Sequence, residues 1–193
     1  MGIPLTGSVV RLEPLGESHR EPLRRAAQDE RIWEFNLVTG FGPAFDPWFD
    51  AARKGQAAGS RIPYVVVRQA DGAVIGSTSY LDYTPAHLRV EIGSTWYVPA
   101  VWGTVVNPEC KLLLFTHAFD ALRMNRVSFH VDAFNLRSQR AVLKLGAVKE
   151  GILRNHAVVY SGRIRDTVVF SVTAAEWPAV RERLRARRAG ISG

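Results

Sequence analysis

Between Leu88 and Gly146 the chain reads strand, helix, strand, helix without interruption, and this run limits the available folds more than any other feature. LRVEIGSTWYV, residues 88–98, is a long β-forming stretch, and Gly93 within it marks a bulge or a close backbone approach. Leu112, Phe115, Phe119 and Leu122 recur at helical spacing and line one face, with Lys111, Asp120 and Arg123 as polar neighbours off that stripe. VSFHVDAF is again a strand. Asn135 then caps a helix that stops at Gly146, where glycine suits the left-handed position past a helix end. Strands joined through a helix run parallel, so this half of the chain implies a partly parallel sheet.

The flanking segments add antiparallel strands. Residues 8–14 alternate as a strand, and Ser18 with Glu21 forms a capping-box pattern for a helix reaching about Gln28. Asp46-Pro47 reads as N-cap and first position of a second helix, ending toward Ala58. Strands at 63–69 and 73–81 flank Asp71-Gly72, a hairpin turn. Two further strands, near 147–159 and 165–173, join around Ser161-Gly162. Thr173 and Glu176 form a second capping box, for a C-terminal helix. The fold class is therefore a mixed α/β sheet with helices packed on it, read as one domain over residues 1–193 with its core at about 8–175.

The bulk properties exclude several classes. No apolar run is long enough to span a bilayer, and no secretory leader is visible. One cysteine, Cys110, cannot form an internal disulfide, which points to a reducing, cytoplasmic setting. The opening MGIPLT fits a loose myristoylation pattern, but a strand follows at once and the match is read as chance. The net charge of +7 is concentrated near the end, in VRERLRARR, and reads as a solvated helix face rather than a nucleic-acid surface. The five histidines show no metal-ligand spacing, so no metal is expected.

The stretch VWGTVVNPECKLLL, Val101 to Leu114, runs from a strand end through a short loop into a helix. The first amides of a helix lack internal partners and carry partial positive charge, so such a turn can cradle phosphate. An ordinary turn capped by Asn107 and Pro108 explains the same residues. The order of elements decides between them, because it resembles the GNAT acyltransferases. VEIGSTWYVP resembles the family's bulged fourth strand. NLRSQRAVLKLGAVKEG is similar to its N-x-x-S…L-G-(aromatic)…E-G segment, with Ala147 where the aromatic is usual, and GRIRDTVVFSV is similar to its last strand. The branch that includes the ribosomal-protein N-terminal alanine acetyltransferases looks nearest.

The resemblance implies a splayed strand pair forming an acetyl-CoA cleft, and transfer of the acetyl group to a primary amine by direct attack. It places pantetheine along Thr95, Trp96, Tyr97 and Val98, and pyrophosphate on Gly103, Thr104, Val105, Val106 and Asn107. The spelling departs from the family's Q/R-x-x-G-x-G/A: Trp102, Val105 and Asn107 stand at the three defining positions. Valine resists positive φ, so the loop's cradling is at issue. Glu91 matches a glutamate that serves as general base in some members; a salt-bridged strand residue explains it equally. Ser138 matches the serine near the cofactor sulfur, and Asn135 the asparagine that contacts pantetheine, though both also suit a helix first turn. Val142 occupies the position of the family's general-acid tyrosine. Trp33, Phe35 and His156 are candidates for the acceptor side. The other class of function is a module without turnover, binding acyl-CoA or nucleic acid. The acceptor amine, small or a protein N-terminus, and the oligomeric state, a homodimer included, stay open.

Overall fold

The computed structural model describes residues 2–191. Strands β1 (Leu5–Thr6) and β2 (Val10–Pro14) open the chain, followed by helices α1 (Arg20–Ala26) and α2 (Phe45–Ala57). Strands β3 (Arg61–Arg68), β4 (Val74–Thr84) and β5 (Arg89–Tyr97) form an antiparallel meander. Helix α3 (Val106–Thr116) passes through a π-helical turn at His117–Ala121 into β6 (Arg126–Asp132). Then come α4 (Leu136–Leu145), β7 (Val148–Val158), β8 (Ile164–Thr173) and α5 (Trp177–Ile191). The eight strands make one mixed sheet in the order β1-β2-β3-β4-β5-β6-β8-β7.

Helices cover both faces. α1 and α2 bury Leu23, Phe45, Trp48 and Phe49 against Leu15, Val65, Val67 and Trp96. α3, α4 and α5 bury Leu114, Phe115, Leu145 and Leu184 against Leu12, Tyr64, Val90 and Phe129. Successive strand residues point to opposite faces, so one strand feeds both layers. Val65 and Val67 serve the first layer and Tyr64 and Val66 the second.

β5 and β6 lie side by side and parallel, as expected, but only through Arg89–Arg126, Val90–Val127 and Glu91–Ser128. Beyond Glu91 they part, because each is held by its other neighbour. β6 stays paired with β8 as far as Asp132–Thr167. β5 follows β4 through a bulge, where the register jumps from Ser79–Gly93 to Ser77–Trp96 and Ser94 takes φ +49°. The bulge expected at Gly93 is there, with its strained residue one position later. Gly93 is needed for space, since a Cβ would stand 2.8 Å from both Glu91 Oε1 and Leu81 Cδ1. The result is a wedge that opens C-terminal to Glu91 and Ser128.

Local signals were met unevenly. Asn135 Oδ1 accepts the Ser138 N–H at 2.9 Å, Gly146 closes α4 at φ +105°, and Glu176 accepts from both the amide and the hydroxyl of Thr173. Ser18 and Glu21 form no box. The chain instead enters α1 through a 3-10 turn at Glu17–His19, and His19 Nδ1 accepts the Gly16 N–H at 3.0 Å. Asp46 and Pro47 lie inside the first turn of α2 rather than at its cap, and Asp46 instead receives the guanidinium groups of Arg20 and Arg24. α3 begins at Val106, so Asn107 is not its cap. Thr104 Oγ1 fills that part, accepting the Val106 N–H at 3.3 Å. β1, only two residues long, has no sequence signature.

Candidate active site

A cleft of about 440 Å³ fills the wedge. β5 supplies Glu91, Thr95, Trp96 and Tyr97, the loop after it supplies Trp102 and Gly103, and α3 supplies Asn107 and Lys111. β6 and α4 close the other side with Phe129, His130, Asn135 and Ser138. Both helices start at the wedge, so the partial positive charge of two helix N-termini borders one cavity, with the Val106 and Ser138 amides already given to Thr104 Oγ1 and Asn135 Oδ1. Of the residues selected from sequence, Glu91, Thr95, Trp96, Tyr97, Gly103, Asn107, Asn135 and Ser138 meet here, with Trp33, Phe35 and His156 at the other end. Val98, Thr104, Val105 and Val106 do not line it. The Val106 side chain is in the core, and the Thr104 hydroxyl donates to the Val101 carbonyl at 2.8 Å, so these positions offer backbone rather than side chains.

The altered loop is unstrained where strain was expected. Val105 sits at φ −66° and the left-handed residue is Gly103, exposed, at φ +80° with open space around it. Trp102 Nε1 donates to the Tyr97 carbonyl at 2.9 Å, and the Arg137 guanidinium stacks 3.6 Å over its ring. Trp102 thereby ties the end of β5 to the first turn of α4. Tyr97 donates to Asn107 Oδ1 at 3.2 Å, and burial holds its phenol well above the ordinary range. Burial also pushes the Cys110 thiol up to about 12, which removes it as a nucleophile near neutrality.

Sequence reading missed the partner of Glu91. His130 Nδ1 lies 2.8 Å from Glu91 Oε2, and the carboxylate raises the imidazole pKa above its ordinary value of 6.5, against the opposing effect of burial. Parallel register explains the meeting: Glu91 is opposite Ser128, and His130 is two residues farther on the same face. The His130 ring centroid lies 6.0 Å from that of His156, whose Nδ1 is 3.0 Å from the Thr167 hydroxyl. Arg165 steadies this end, donating to Thr167 Oγ1 and to the His130 carbonyl. Lys111, read only as a polar neighbour off the apolar stripe, is buried on the cleft floor. Its position inside CKLLLF was the available signal, a lone charge in an otherwise apolar run.

Trp33, Trp48 and Trp96 pack together with ring centroids 5.4–5.8 Å apart. Trp33 is 1% exposed and spends its indole N–H on the Ala27 carbonyl, so it is both core and cleft wall. Phe35, half-buried, continues that wall. Among the described residues no group of three or more His, Cys, Asp or Glu could hold a metal, and no helix is long and apolar enough to cross a membrane.

The chain as a whole resembles solved structures and curated proteins. The structure of a "putative acetyltransferase" from T. thermophilus is 36% identical with a TM-score of 0.86, covering 97% of each chain. Mycobacterium smegmatis RimJ, in complex with CoA-disulfide, shares the fold at 23% identity and a TM-score of 0.81, over 98% of this chain and 94% of its own. The "Putative ribosomal N-acetyltransferase YdaF" of Bacillus subtilis (strain 168) is 29% identical over 108 residues, 55% of this chain and 57% of that protein. The alignments span about three fifths of the curated relatives' lengths. The model of the acetyltransferase (GNAT) domain matches residues 10–148, the segment that builds the wedge, and the chain belongs to that family of N-acetyltransferases.

Proposed function

We propose that this protein transfers an acetyl group from acetyl-CoA to a primary amine, by direct attack and without a covalent enzyme intermediate. The observation that carries the reading is the convergence in one wedge of two helix N-termini and the Glu91–His130 pair. The amides from Gly103 to Asn107 suit a pyrophosphate. The edge of β5 freed by the splay, Thr95 to Val98, suits the amides of pantetheine. Asn135 Oδ1 is occupied by its cap, which leaves its amide N–H groups for a ligand. Ser138, one turn into α4, offers a hydroxyl near the sulfur.

The acceptor enters from the side of Trp33, Phe35 and His156. Its ammonium must lose a proton before attack, and His130 with Glu91 provides the place for it. Glu91 accepts from Nδ1, which fixes the tautomer and leaves Nε2 to take the proton. The apolar wall suits a peptide or small amine with hydrophobic flanks, and the likeness to a ribosomal N-acetyltransferase favours a protein N-terminus. Acetyl-CoA incubated with a panel of amines and N-terminal peptides, with release of free CoA as readout, tests this. Turnover with at least one α-amine is expected. CoA binding without turnover on any acceptor would leave a binding module instead.

A binding prediction follows from the loop. Gly103→Pro forces φ from +80° toward about −65°, so the amides around it must turn. CoA affinity measured by calorimetry should fall by about 1–3 kcal/mol. The melting temperature should fall as well, because proline is strained at φ +80° whatever the space around it, so affinity is compared on protein shown to be folded at the assay temperature. Unchanged CoA affinity would remove the pyrophosphate from this turn.

A further inference from the structure

Lys111 is 4% exposed, yet it lines the cleft. Its Nζ donates to Thr95 Oγ1 at 3.0 Å, and that hydroxyl lies 2.8 Å from Thr78 Oγ1. The same Nζ lies 5.8 Å from the centroid of Phe129. Thr95 belongs to β5 and Phe129 to β6, so the amine reaches across the gap between the two splayed strands. Three N–H bonds meet one described acceptor there.

A buried ammonium is costly unless an anion balances it. Among the described residues no carboxylate lies within ion-pair distance of Lys111. Glu109, on the same helix, turns away and accepts from the amides of Ser8, Val9 and Val10. Glu91 and His130, which line the same cleft from β5 and β6, are paired with each other, and the remaining titratable groups on the surrounding elements are Cys110 on α3, Tyr97 on β5, Tyr80 on β4 and His117 after α3. Burial favours the neutral form of all four. The floor of the wedge is therefore a cationic position built without its counter-charge. The other cations at the cleft are engaged elsewhere: Arg137 on Trp102, Arg165 on Thr167 and the His130 carbonyl, Arg31 on Asp29.

Acetyl transfer creates one anion, the CoA thiolate, and the neutral Ser138 hydroxyl proposed near the sulfur brings it no counter-charge. Val142 holds the position where many relatives carry a tyrosine acid, and its side chain offers no proton. We infer that Lys111 is the group that meets the departing thiolate of CoA, as its counter-cation and proton donor, an inference that rests on the proposed use of acetyl-CoA. The amine nitrogen bonds to the thioester carbonyl carbon, the C–S bond breaks with its electron pair on sulfur, and an Nζ–H proton passes to sulfur. Free CoA thiol leaves and the neutral lysine regains a proton from solvent. The proton shed by the acceptor goes to the His130–Glu91 pair. Burial brings Lys111 down to about 8, so it is still mostly protonated at neutral pH and a far better donor than an exposed lysine.

Two measurements test this. CoA and desulfo-CoA are titrated into the unaltered protein at about pH 8, where the ammonium is half-populated. CoA should bind about tenfold more tightly than desulfo-CoA, the size of one modest charge interaction. That preference should vanish in Lys111→Met, which fills the space without charge. Equal affinity of the unaltered protein for both ligands overturns the inference while leaving CoA binding intact; binding of neither overturns the acetyl-CoA reading and this inference with it. In kinetics, Lys111→Met should lose about tenfold in kcat with little change in KM for acetyl-CoA. The fall of kcat above about pH 8, where Lys111 loses its proton, should disappear. A purely structural lysine would alter the melting temperature but not that alkaline limb, so a retained limb or an unchanged kcat overturns the role. Should Lys111→Met fail to fold, the comparison of the two ligands on the unaltered protein decides alone.

Discussion

Glu91→Gln is expected to lower kcat about 100-fold at neutral pH, the lower end of a general-base contribution. The substitution keeps the shape and the place on β5 but removes the charge that orients His130. The imidazole then loses the partner that raises its pKa, and nothing fixes which nitrogen carries the proton. The sign of the pH effect follows from that shift. In the unaltered protein His130 is protonated, and cannot act as base, below its raised pKa; activity should climb as pH rises through a value above 6.5. In the variant this acid limb should move to lower pH while the plateau drops. The deficit should shrink at high pH, because more acceptor arrives already deprotonated. CoA affinity should barely change, since Glu91 lies at the closed end of the wedge, away from the phosphate turn. His130→Ala should cost about as much as Glu91→Gln if the two work as a unit. An unchanged kcat in Glu91→Gln, or the same deficit at every pH, removes the pair from proton transfer and leaves His156 as the remaining imidazole at that end.

The wedge itself was legible because its causes are local. Helical spacing from Leu112 to Leu122, the cap at Asn135 and the stop at Gly146 define a strand–helix–strand–helix run, and parallel pairing of β5 with β6 follows from connection length. The pair proposed for proton transfer was less legible because it depends on register. Glu91 and His130 are far apart in sequence, and only the offset of two parallel strands puts them on one face. That offset was within reach once the strands were paired, since Glu91 opposite Ser128 places His130 two residues on. The burial of Lys111 was not legible for another reason. Periodicity sorts residues by side-chain type, but α3 is enclosed on nearly every side by the sheet, α5 and the N-terminal strands, so a lysine there meets solvent only through the cleft. At the loop proposed to hold the pyrophosphate, the family spelling was a poor guide to geometry. The turn keeps its left-handed residue at Gly103, and Val105 is asked for nothing unusual.

Glu109→Ala should lower stability by about 3–5 kcal/mol. Glu109 is fully buried near the start of α3. Oε1 accepts the Ser8 N–H at 3.1 Å and its hydroxyl at 2.9 Å, and Oε2 accepts the N–H groups of Val9 and Val10 at 2.6 and 2.7 Å. Arg188 of α5 approaches Oε1 at 2.8 Å. One carboxylate thus joins the entry of β2, the first turn of α3 and the end of α5, and the site is so close-packed that a Cβ on Gly7 would stand 2.6 Å from Glu109 Cδ. Truncation strips three backbone donors of their acceptor; the Val10 N–H is buried and bears the full cost of being stranded, while exposed Ser8 and half-buried Val9 turn partly to water. For a chain of this length the melting temperature should drop by roughly 6–20 °C. Glu109→Gln should recover only part of that, because its amide turns a donor toward other donors. A melting shift below about 1 °C for Glu109→Ala would show that the segment finds other acceptors, water included. The consequence reaches the cleft, since this anchor holds the helix whose N-terminus borders it. CoA should therefore raise the melting temperature of Glu109→Ala less than that of the parent at equal concentration, because a helix that is no longer pinned at Ser8–Val10 must be ordered by the ligand itself.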